Sequence, residues 1–128
     1  MRKRVAIFDD DPDILEVCAI ILKSKGFDII TQTNCIDILQ KVKTFQPDVI
    51  LMDNWIPDIG GIKATQLIKA DKETRHIPVI FFSANNNIEN LAREATADHF
   101  LQKPFDISTL HEMVSNALQE STALVEQK

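Results

Sequence analysis

Acidic, hydroxyl and amino side chains follow the apolar segments of this sequence at regular intervals. The residues concerned are Asp9, Asp10, Asp53, Ser83 and Lys103. Carboxylates that lie close together repel one another, which raises their proton affinity unless a cation joins them. Because no histidine or thiol stands among them, the three acids favour a hard, oxygen-loving ion such as Mg²⁺. The sequence therefore predicts a magnesium site beside a hydroxyl and an ammonium group.

The elements that must bring these residues together alternate between strand and helix patterns. Apolar runs rich in strand formers predict strands at 4–8, 27–31, 47–52, 77–82 and 98–101. Apolar residues at helical spacing follow each run, and the last two helices are predicted over 88–95 and after Asp106. Five strands that alternate with five helices predict a mostly parallel, doubly wound α/β sheet. Ligands bind such sheets beyond the carboxyl ends of the strands, where these polar residues would meet.

Each of these residues also has an ordinary structural explanation. A single aspartate after a strand, such as Asp53, is usually a turn or cap residue, and Ser83 is equally a small loop hydroxyl. Lys103 alone is typical of a solvated charge, and the acidic run 9–13 suits a helix start, where acids interact favourably with the helix dipole. The coincidence of all five residues at equivalent strand ends favours a functional site.

The length, charge and cysteine content of the chain exclude several other classes of function. With 128 residues the sequence predicts one domain, with its core at about 4–118 and a C-terminal tail at 119–128. A net charge of −5 argues against nucleic acids and anionic membranes as the main partners. The longest apolar run, 17–22, is too short to span a bilayer. Cys18 and Cys35 lack metal or redox spacing and are expected to be buried thiols of a cytoplasmic protein.

Four ordered motifs resemble those of the receiver domains of two-component response regulators, the family that includes the chemotaxis regulator CheY. The motifs are IFDDDP at 7–12, ILMD at 50–53 with Pro57 and Gly61, IPVIFFSA at 77–84 and FLQKPF at 100–105. The resemblance spans about residues 4–118. It implies a single-domain, flavodoxin-like fold with five helices, in which the five parallel strands have the order 2-1-3-4-5.

The resemblance also implies a role for each acidic position. Asp53 would be the phosphoacceptor, whose carboxylate attacks phosphorus in line and becomes an acyl phosphate. Asp10 and Asp53 would bind Mg²⁺ directly, together with the backbone carbonyl of Trp55, and Asp9 would hold the ion mainly through water. Magnesium that bridges the carboxylate and phosphoryl oxygens would neutralise the charge that repels an anionic donor.

The remaining positions would bind the phosphoryl group and respond to it. Lys103 would supply a compact cation, held by a Lys103–Pro104 peptide bond that the family usually keeps cis. Ser83 would hydrogen-bond a phosphoryl oxygen and move towards it. Phe100, at the position of the switch aromatic, would turn inward behind it, although a plain core phenylalanine on the fifth strand is an equally good interpretation.

This sequence departs from the family pattern at several positions. Trp55 and Asn85 stand where receivers tune the lifetime of the phosphoryl group, and a bulky indole there predicts slow autodephosphorylation. Phe100 replaces the commoner tyrosine and lacks its hydroxyl. Asp58 and Thr96 replace glycines, and because a β-branched threonine resists positive φ, the turn before the fifth strand is expected to differ.

The function that the resemblance implies is that of a stand-alone signalling receiver without a DNA-binding effector. It would accept a phosphoryl group from a sensor histidine kinase and would not be an enzyme beyond its own phosphorylation and dephosphorylation. Phosphorylation would switch a protein-binding surface formed by the fourth helix, the fifth strand and the fifth helix.

Three alternatives stay open at this point. Within the same family, the domain could pass its phosphoryl group on to a histidine phosphotransfer protein, or act as a degenerate receiver that only binds a partner. A phosphatase of the haloacid dehalogenase type also uses an aspartate after a first strand with Mg²⁺. Its D-x-D-x-T/V motif fits poorly, because the run 9–13 lacks the threonine and the chain has no cap insertion.

Overall fold

Strands and helices alternate in a computed structural model that describes residues 2–126 and the side chains of residues 2–120. The ten elements are β1 (Arg4–Phe8), α1 (Pro12–Ser24), β2 (Asp28–Gln32), α2 (Ile38–Phe45), β3 (Val49–Asp53), α3 (Gly61–Ala70), β4 (Val79–Ser83), α4 (Ile88–Ala95), β5 (His99–Gln102) and α5 (Ile107–Glu126). All five predicted strands and all five predicted helices are present, with shifts of a few residues at their ends.

The five strands form one parallel sheet in the order β2-β1-β3-β4-β5, which confirms the predicted fold. The register aligns the carboxyl ends of the central strands. Phe8 at the end of β1 pairs with Met52, Asp53 at the end of β3 pairs with Phe82, and Ser83 at the end of β4 pairs with Gln102. The residues that follow these strands therefore meet at one edge of the sheet.

Each face of the sheet carries its own hydrophobic cluster. Helices α2, α3 and α4 cover one face, and helices α1 and α5 cover the other. The neighbouring residues Phe81 and Phe82 of β4 are both fully buried and point into opposite clusters, as the alternation of side chains along a strand requires. Strands β3 and β4 are buried along their full length, which explains their continuous apolar sequences.

Helix α2 begins after a turn, and helix α5 extends beyond the predicted core. The Asn34 Oδ1 accepts a hydrogen bond from the Ile36 amide at 2.9 Å and forms this turn, after which α2 begins at Ile38. Helix α5 continues to Glu126, so most of the segment predicted as a tail is helical. The last two positions of that segment, 127 and 128, lie outside the described residues.

The two positions where glycine was expected adopt positive φ angles without it. Asp58 has φ of 90° and Thr96 has φ of 62°. The expectation that Thr96 would change its turn is wrong, because hydrogen bonds from Thr96 N to Arg93 O (3.1 Å) and from Ala97 N to Ala92 O (2.9 Å) close a Schellman motif there. Packing and hydrogen bonding thus outweigh the steric preference of the threonine. Within the described residues, no helix combines the length and apolar character needed to cross a membrane.

Candidate functional site

Three carboxylates lie together at the carboxyl edge of the sheet. Asp9 and Asp10 follow β1, and Asp53 is the last residue of β3. One carboxylate oxygen from each of the three lies within 4.8 Å of the other two. Asp9 and Asp53 are buried, whereas Asp10 is exposed. The structure therefore brings together the three acids that the sequence analysis selected.

Lys103 reaches this cluster from the loop after β5. Its Nζ donates hydrogen bonds to Asp9 Oδ2 at 2.7 Å and to Asp53 Oδ1 at 3.1 Å. The Lys103 backbone amide donates to the Ser83 carbonyl at 2.8 Å, which fixes the loop against the end of β4. The Lys103–Pro104 peptide bond is cis. Hydrogen bonds between charged groups are about twice as strong as neutral ones, so the ammonium group ties β1 to β3 across the edge of the sheet.

The ionisation of the site is dominated by its burial. The pKa of Asp53 is raised to about 6, because burial and, after it, the negative charge of Asp9 raise it more than the Lys103 ammonium lowers it. Burial alone would lower the pKa of Lys103, but the hydrogen bonds and charges of Asp9 and Asp53 outweigh it and raise that pKa. Three acids face one lysine, so a further cation would relieve the repulsion among them.

The donor set of the acidic cluster fits a magnesium ion. All three side chains offer oxygen ligands, which Mg²⁺ prefers, and its bonds of about 2.1 Å place opposite ligands about 4.2 Å apart. The oxygens of Asp9, Asp10 and Asp53 all lie within 4.8 Å of one another, which is compatible with that separation. Asp9 Oδ1, the carboxylate oxygen that does not accept from Lys103, accepts a hydrogen bond from the Asp11 amide at 2.9 Å, which holds that carboxylate in place.

Ser83 closes the site on the side of β4. Its side chain is buried, and its Oγ accepts a hydrogen bond from the Asn85 amide at 3.1 Å. The Asn85 side chain in turn accepts from the Asn87 amide at 2.7 Å. A hydroxyl that accepts one hydrogen bond still has its proton to donate. Ser83 is therefore equipped to donate to an oxygen atom that arrives beside Asp53.

The two aromatic candidates lie outside the acidic cluster. The Trp55 side chain is 75% exposed in the loop after β3, and Phe100 is 40% exposed on β5. Phe100 is thus not the plain core residue that its position in a strand also allowed. Both rings have room to change position when the site changes.

Two residues that the sequence analysis gave no role contact the site. A Cβ atom at Gly61 would collide with the carbonyl oxygen of Asp53. Helix α3 can therefore begin against the backbone of the predicted phosphoacceptor only because residue 61 has no side chain. The Phe82 ring lies below the Lys103 ammonium, with 4.5 Å between Nζ and the ring centroid. Phe82 could not be selected from the sequence, because an apolar residue in a strand is ordinarily explained by packing in the core.

The fold and the site geometry agree with the comparison to known families. The family described as the response regulator receiver domain matches residues 5–115. The chain belongs to the response regulator receiver family. Receiver domains are signalling phosphoacceptors of two-component systems rather than classical enzymes. This assignment leaves no support for a phosphatase of the haloacid dehalogenase type.

The named relatives that contain a segment similar to this chain are larger proteins. The DNA-binding response regulator MtrA of Mycolicibacterium smegmatis is 31% identical over 107 residues, which cover 82% of this chain and 46% of the relative. The CAI-1 autoinducer sensor kinase/phosphatase CqsS of Vibrio cholerae is 30% identical over 112 residues, which cover 85% of this chain and 16% of that protein. The chain thus spans about half the length, or less, of these curated relatives.

A solved structure supports the same assignment. The CheY-like receiver domain protein from Methanospirillum hungatei JF-1 superposes with a TM-score of 0.85 at 26% identity, covering 96% of this chain and 98% of that one.

Proposed function

We propose that this receiver domain accepts a phosphoryl group on Asp53 and thereby switches a protein-binding surface. The observation that carries the proposal is the Lys103 ammonium, which bridges the buried carboxylates of Asp9 and Asp53 at the carboxyl edge of the sheet. In transfer from a histidine kinase, an oxygen of Asp53 forms a bond to phosphorus. The bond between phosphorus and the nitrogen of the donor histidine breaks in line with this new bond. The product is an acyl phosphate whose oxygens lie close to a fixed positive charge.

The acidic cluster supplies the metal site of this reaction. Asp10, Asp53 and the backbone carbonyl of Trp55 would hold Mg²⁺ directly, and Asp9 would hold it mainly through water. When bound, Mg²⁺ neutralises the charge that otherwise repels an anionic phosphoryl donor. The proximity of the three carboxylates and their oxygen-only donor set support this assignment.

Ser83 and Phe100 would convert the chemical change into a conformational one. The Ser83 hydroxyl, now an acceptor for the Asn85 amide, would turn its proton to a phosphoryl oxygen and move towards it. Phe100, which is partly exposed on β5, would fill the space behind Ser83. The phosphoryl group would thus stabilise one of two conformations, as charge-adding modifications do in other switches.

Trp55 and Asn85 would set the lifetime of the phosphoryl group. They follow Asp53 and Ser83 by two residues each, which places them in the loops on either side of the site. The indole of Trp55 is exposed in its loop, and if it folded over Asp53 it would restrict attack by water, so we expect slow autodephosphorylation. A phosphoryl lifetime of only seconds in the purified protein would contradict this role.

The donor would be a sensor histidine kinase, and the target a protein that binds the face of α4, β5 and α5. Phe100 and the contact between His99 Nε2 of β5 and Glu120 Oε2 of α5 lie on that face, so a movement of β5 would alter it. Transfer to a histidine phosphotransfer protein stays the second candidate, because a kinase such as CqsS contains a segment similar to this chain. The stand-alone state and the cytoplasmic location stay predictions.

Mass spectrometry of the intact protein tests the proposal. Wild type, Asp53→Asn and Asp13→Asn are incubated with acetyl phosphate and Mg²⁺. We expect one phosphoryl adduct on wild type and on Asp13→Asn, whose carboxylate lies outside the cluster, and none on Asp53→Asn. An adduct that survives in Asp53→Asn, or its absence from wild type, would overturn the proposal.

A further inference from the structure

A buried aromatic ring lies against the lysine of the site and has no part in the reaction proposed above. Phe82 is fully buried, and the centroid of its ring lies 4.5 Å from Lys103 Nζ. The ring also packs against the ring of Phe105, with 6.4 Å between the centroids and an interplanar angle of 57°. Phe82 is therefore a fixed surface on which the ammonium group rests.

The interaction between the Lys103 ammonium and the Phe82 ring is attractive. The face of an aromatic ring carries negative charge density, and a cation within about 6 Å of the centroid is drawn to it, more strongly where water is excluded. The Lys103 side chain is only 17% exposed. The ammonium group consequently has three partners, two carboxylates and one ring, and the ring is uncharged.

Under the proposed function, signalling changes the interactions of Lys103 with the two carboxylates but not its interaction with the Phe82 ring. Asp9 and Asp53 are the proposed ligands of the metal and the phosphoryl group, so their interactions with Lys103 change when the site is loaded. The Phe82 ring binds neither, and its attraction for the ammonium group persists. An apolar cleft of about 360 Å³, lined in part by Ile14, Cys18 and Phe105, runs beside Lys103 and leaves its stem room to shift.

We infer that Phe82 is the positioning residue of Lys103: its ring face keeps the ammonium group aimed at the phosphoryl site while the carboxylate partners change. The inference rests on the proposed function, because a fixed position of Lys103 matters where it must meet a phosphoryl group. It assigns to a core phenylalanine a task that an aliphatic residue of similar size cannot perform.

The neighbouring residue provides a matched control. Phe81 is equally buried on the same strand but points into the opposite cluster, away from Lys103. Phe81→Met and Phe82→Met therefore each remove a phenyl ring from a comparably buried position. Only Phe82→Met removes a ring that contacts Lys103. Phe82→Tyr keeps a ring at the position and serves as the conservative variant.

The contact itself is measured by NMR without metal or phosphoryl donor. Protons above a ring face are shifted upfield, so the ε-methylene signal of Lys103 should be upfield in wild type, Phe81→Met and Phe82→Tyr. It should move to the ordinary lysine range in Phe82→Met. An unshifted signal in wild type, or one that stays upfield in Phe82→Met, would overturn the inference.

The consequence for the reaction is measured by single-turnover phosphorylation with acetyl phosphate and Mg²⁺. We expect Phe82→Met to be slower by about 3- to 30-fold, the range that a cation–π contact corresponds to, and Phe82→Tyr to restore most of the rate. Equal rates in Phe82→Met and wild type, or equal losses in Phe81→Met and Phe82→Met, would overturn the positioning role. No phosphorylation of wild type despite an upfield Lys103 signal would instead refute the proposed function.

Discussion

Two lysines in this protein each lie between a pair of carboxylates, at opposite edges of the sheet. Lys103 contacts Asp9 and Asp53 at the carboxyl edge, with distances of 2.7 and 3.1 Å. Lys43 contacts Asp71 and Glu73 near the amino edge, with distances of 3.1 and 3.0 Å. In the distances between the lysine and its two carboxylates the clusters are almost the same.

Burial is what separates them. The side chains of Asp9 and Asp53 are 1% and 7% exposed, whereas those of Asp71 and Glu73 are 21% and 61% exposed. A backbone hydrogen bond from Glu73 and the Lys43 ammonium lower the pKa of Asp71, whereas the pKa of Asp53 is raised to about 6, with burial as the largest cause. The same lysine with two carboxylates is thus an ordinary exposed surface cluster in one place and a buried cluster with a raised carboxyl pKa in the other.

The largest difference is expected when each lysine is replaced. Lys103→Met leaves two buried carboxylates without their cation, and breaking a buried pair in this way costs about 3–5 kcal/mol of unfolding free energy. Lys43→Met should change stability little, because exposed pairs are screened by solvent. Urea unfolding at pH 8 measures both. Equal losses in the two variants would show that burial does not distinguish the clusters.

The two aspartates should respond to pH with opposite sign. The folded-state pKa of Asp53, about 6, exceeds its unfolded value of 3.8, so its ionisation opposes folding above pH 6 by about 3 kcal/mol. In EDTA we expect Asp53→Asn to be more stable than wild type at pH 8, with the difference lost as the pH falls towards 4.

Asp71→Asn is the matched control for this pH series. The pKa of Asp71 is lowered in the folded state, so its ionised form stabilises the protein at neutral pH, and that stabilisation is lost as the pH falls below the ordinary aspartate range. The variant should be slightly less stable than wild type at pH 8. A gain of stability in Asp71→Asn, or none in Asp53→Asn, would contradict the assigned roles of burial and pairing.

The smallest effect is expected from magnesium. A ligand present at ten times its dissociation constant stabilises the folded state by about 1.4 kcal/mol. Mg²⁺ should therefore raise the melting temperature of wild type and Asp71→Asn but not of Asp10→Asn. Because Trp55 is the single tryptophan, its fluorescence should report the same binding, and beryllofluoride should change it further. Equal stabilisation of Asp10→Asn would place the metal elsewhere.

The sequence predicted the buried cluster because its members end strands. Once the alternation of strands and helices is read, the carboxyl ends of parallel strands must share an edge, and Asp9, Asp53 and Ser83 are placed by that rule alone. No such rule predicts the positions of the residues around Lys43, because they lie on a helix and a loop and not at the ends of strands. Its distances depend on side-chain packing that no spacing in the sequence encodes.

Other features were out of reach for different physical reasons. The contact between Phe82 and Lys103 requires knowledge of which face of β4 lies below the lysine. The positive φ of Thr96 was judged by local steric preference, and the hydrogen bonds that close the end of α4 reverse that judgement. Local rules thus identified the elements, whereas contacts between them decided the details of the site.

The pair between Lys103 and Asp9 joins residues 94 positions apart in the chain. During synthesis from the amino terminus, the carboxylates of Asp9 and Asp53 leave the ribosome long before the lysine that compensates them. A nascent chain that ends before β5 would hold its acids at a sheet edge without their cation, and contacts of such long range form late. The candidate site is therefore among the last parts of the domain to be completed as the protein is made.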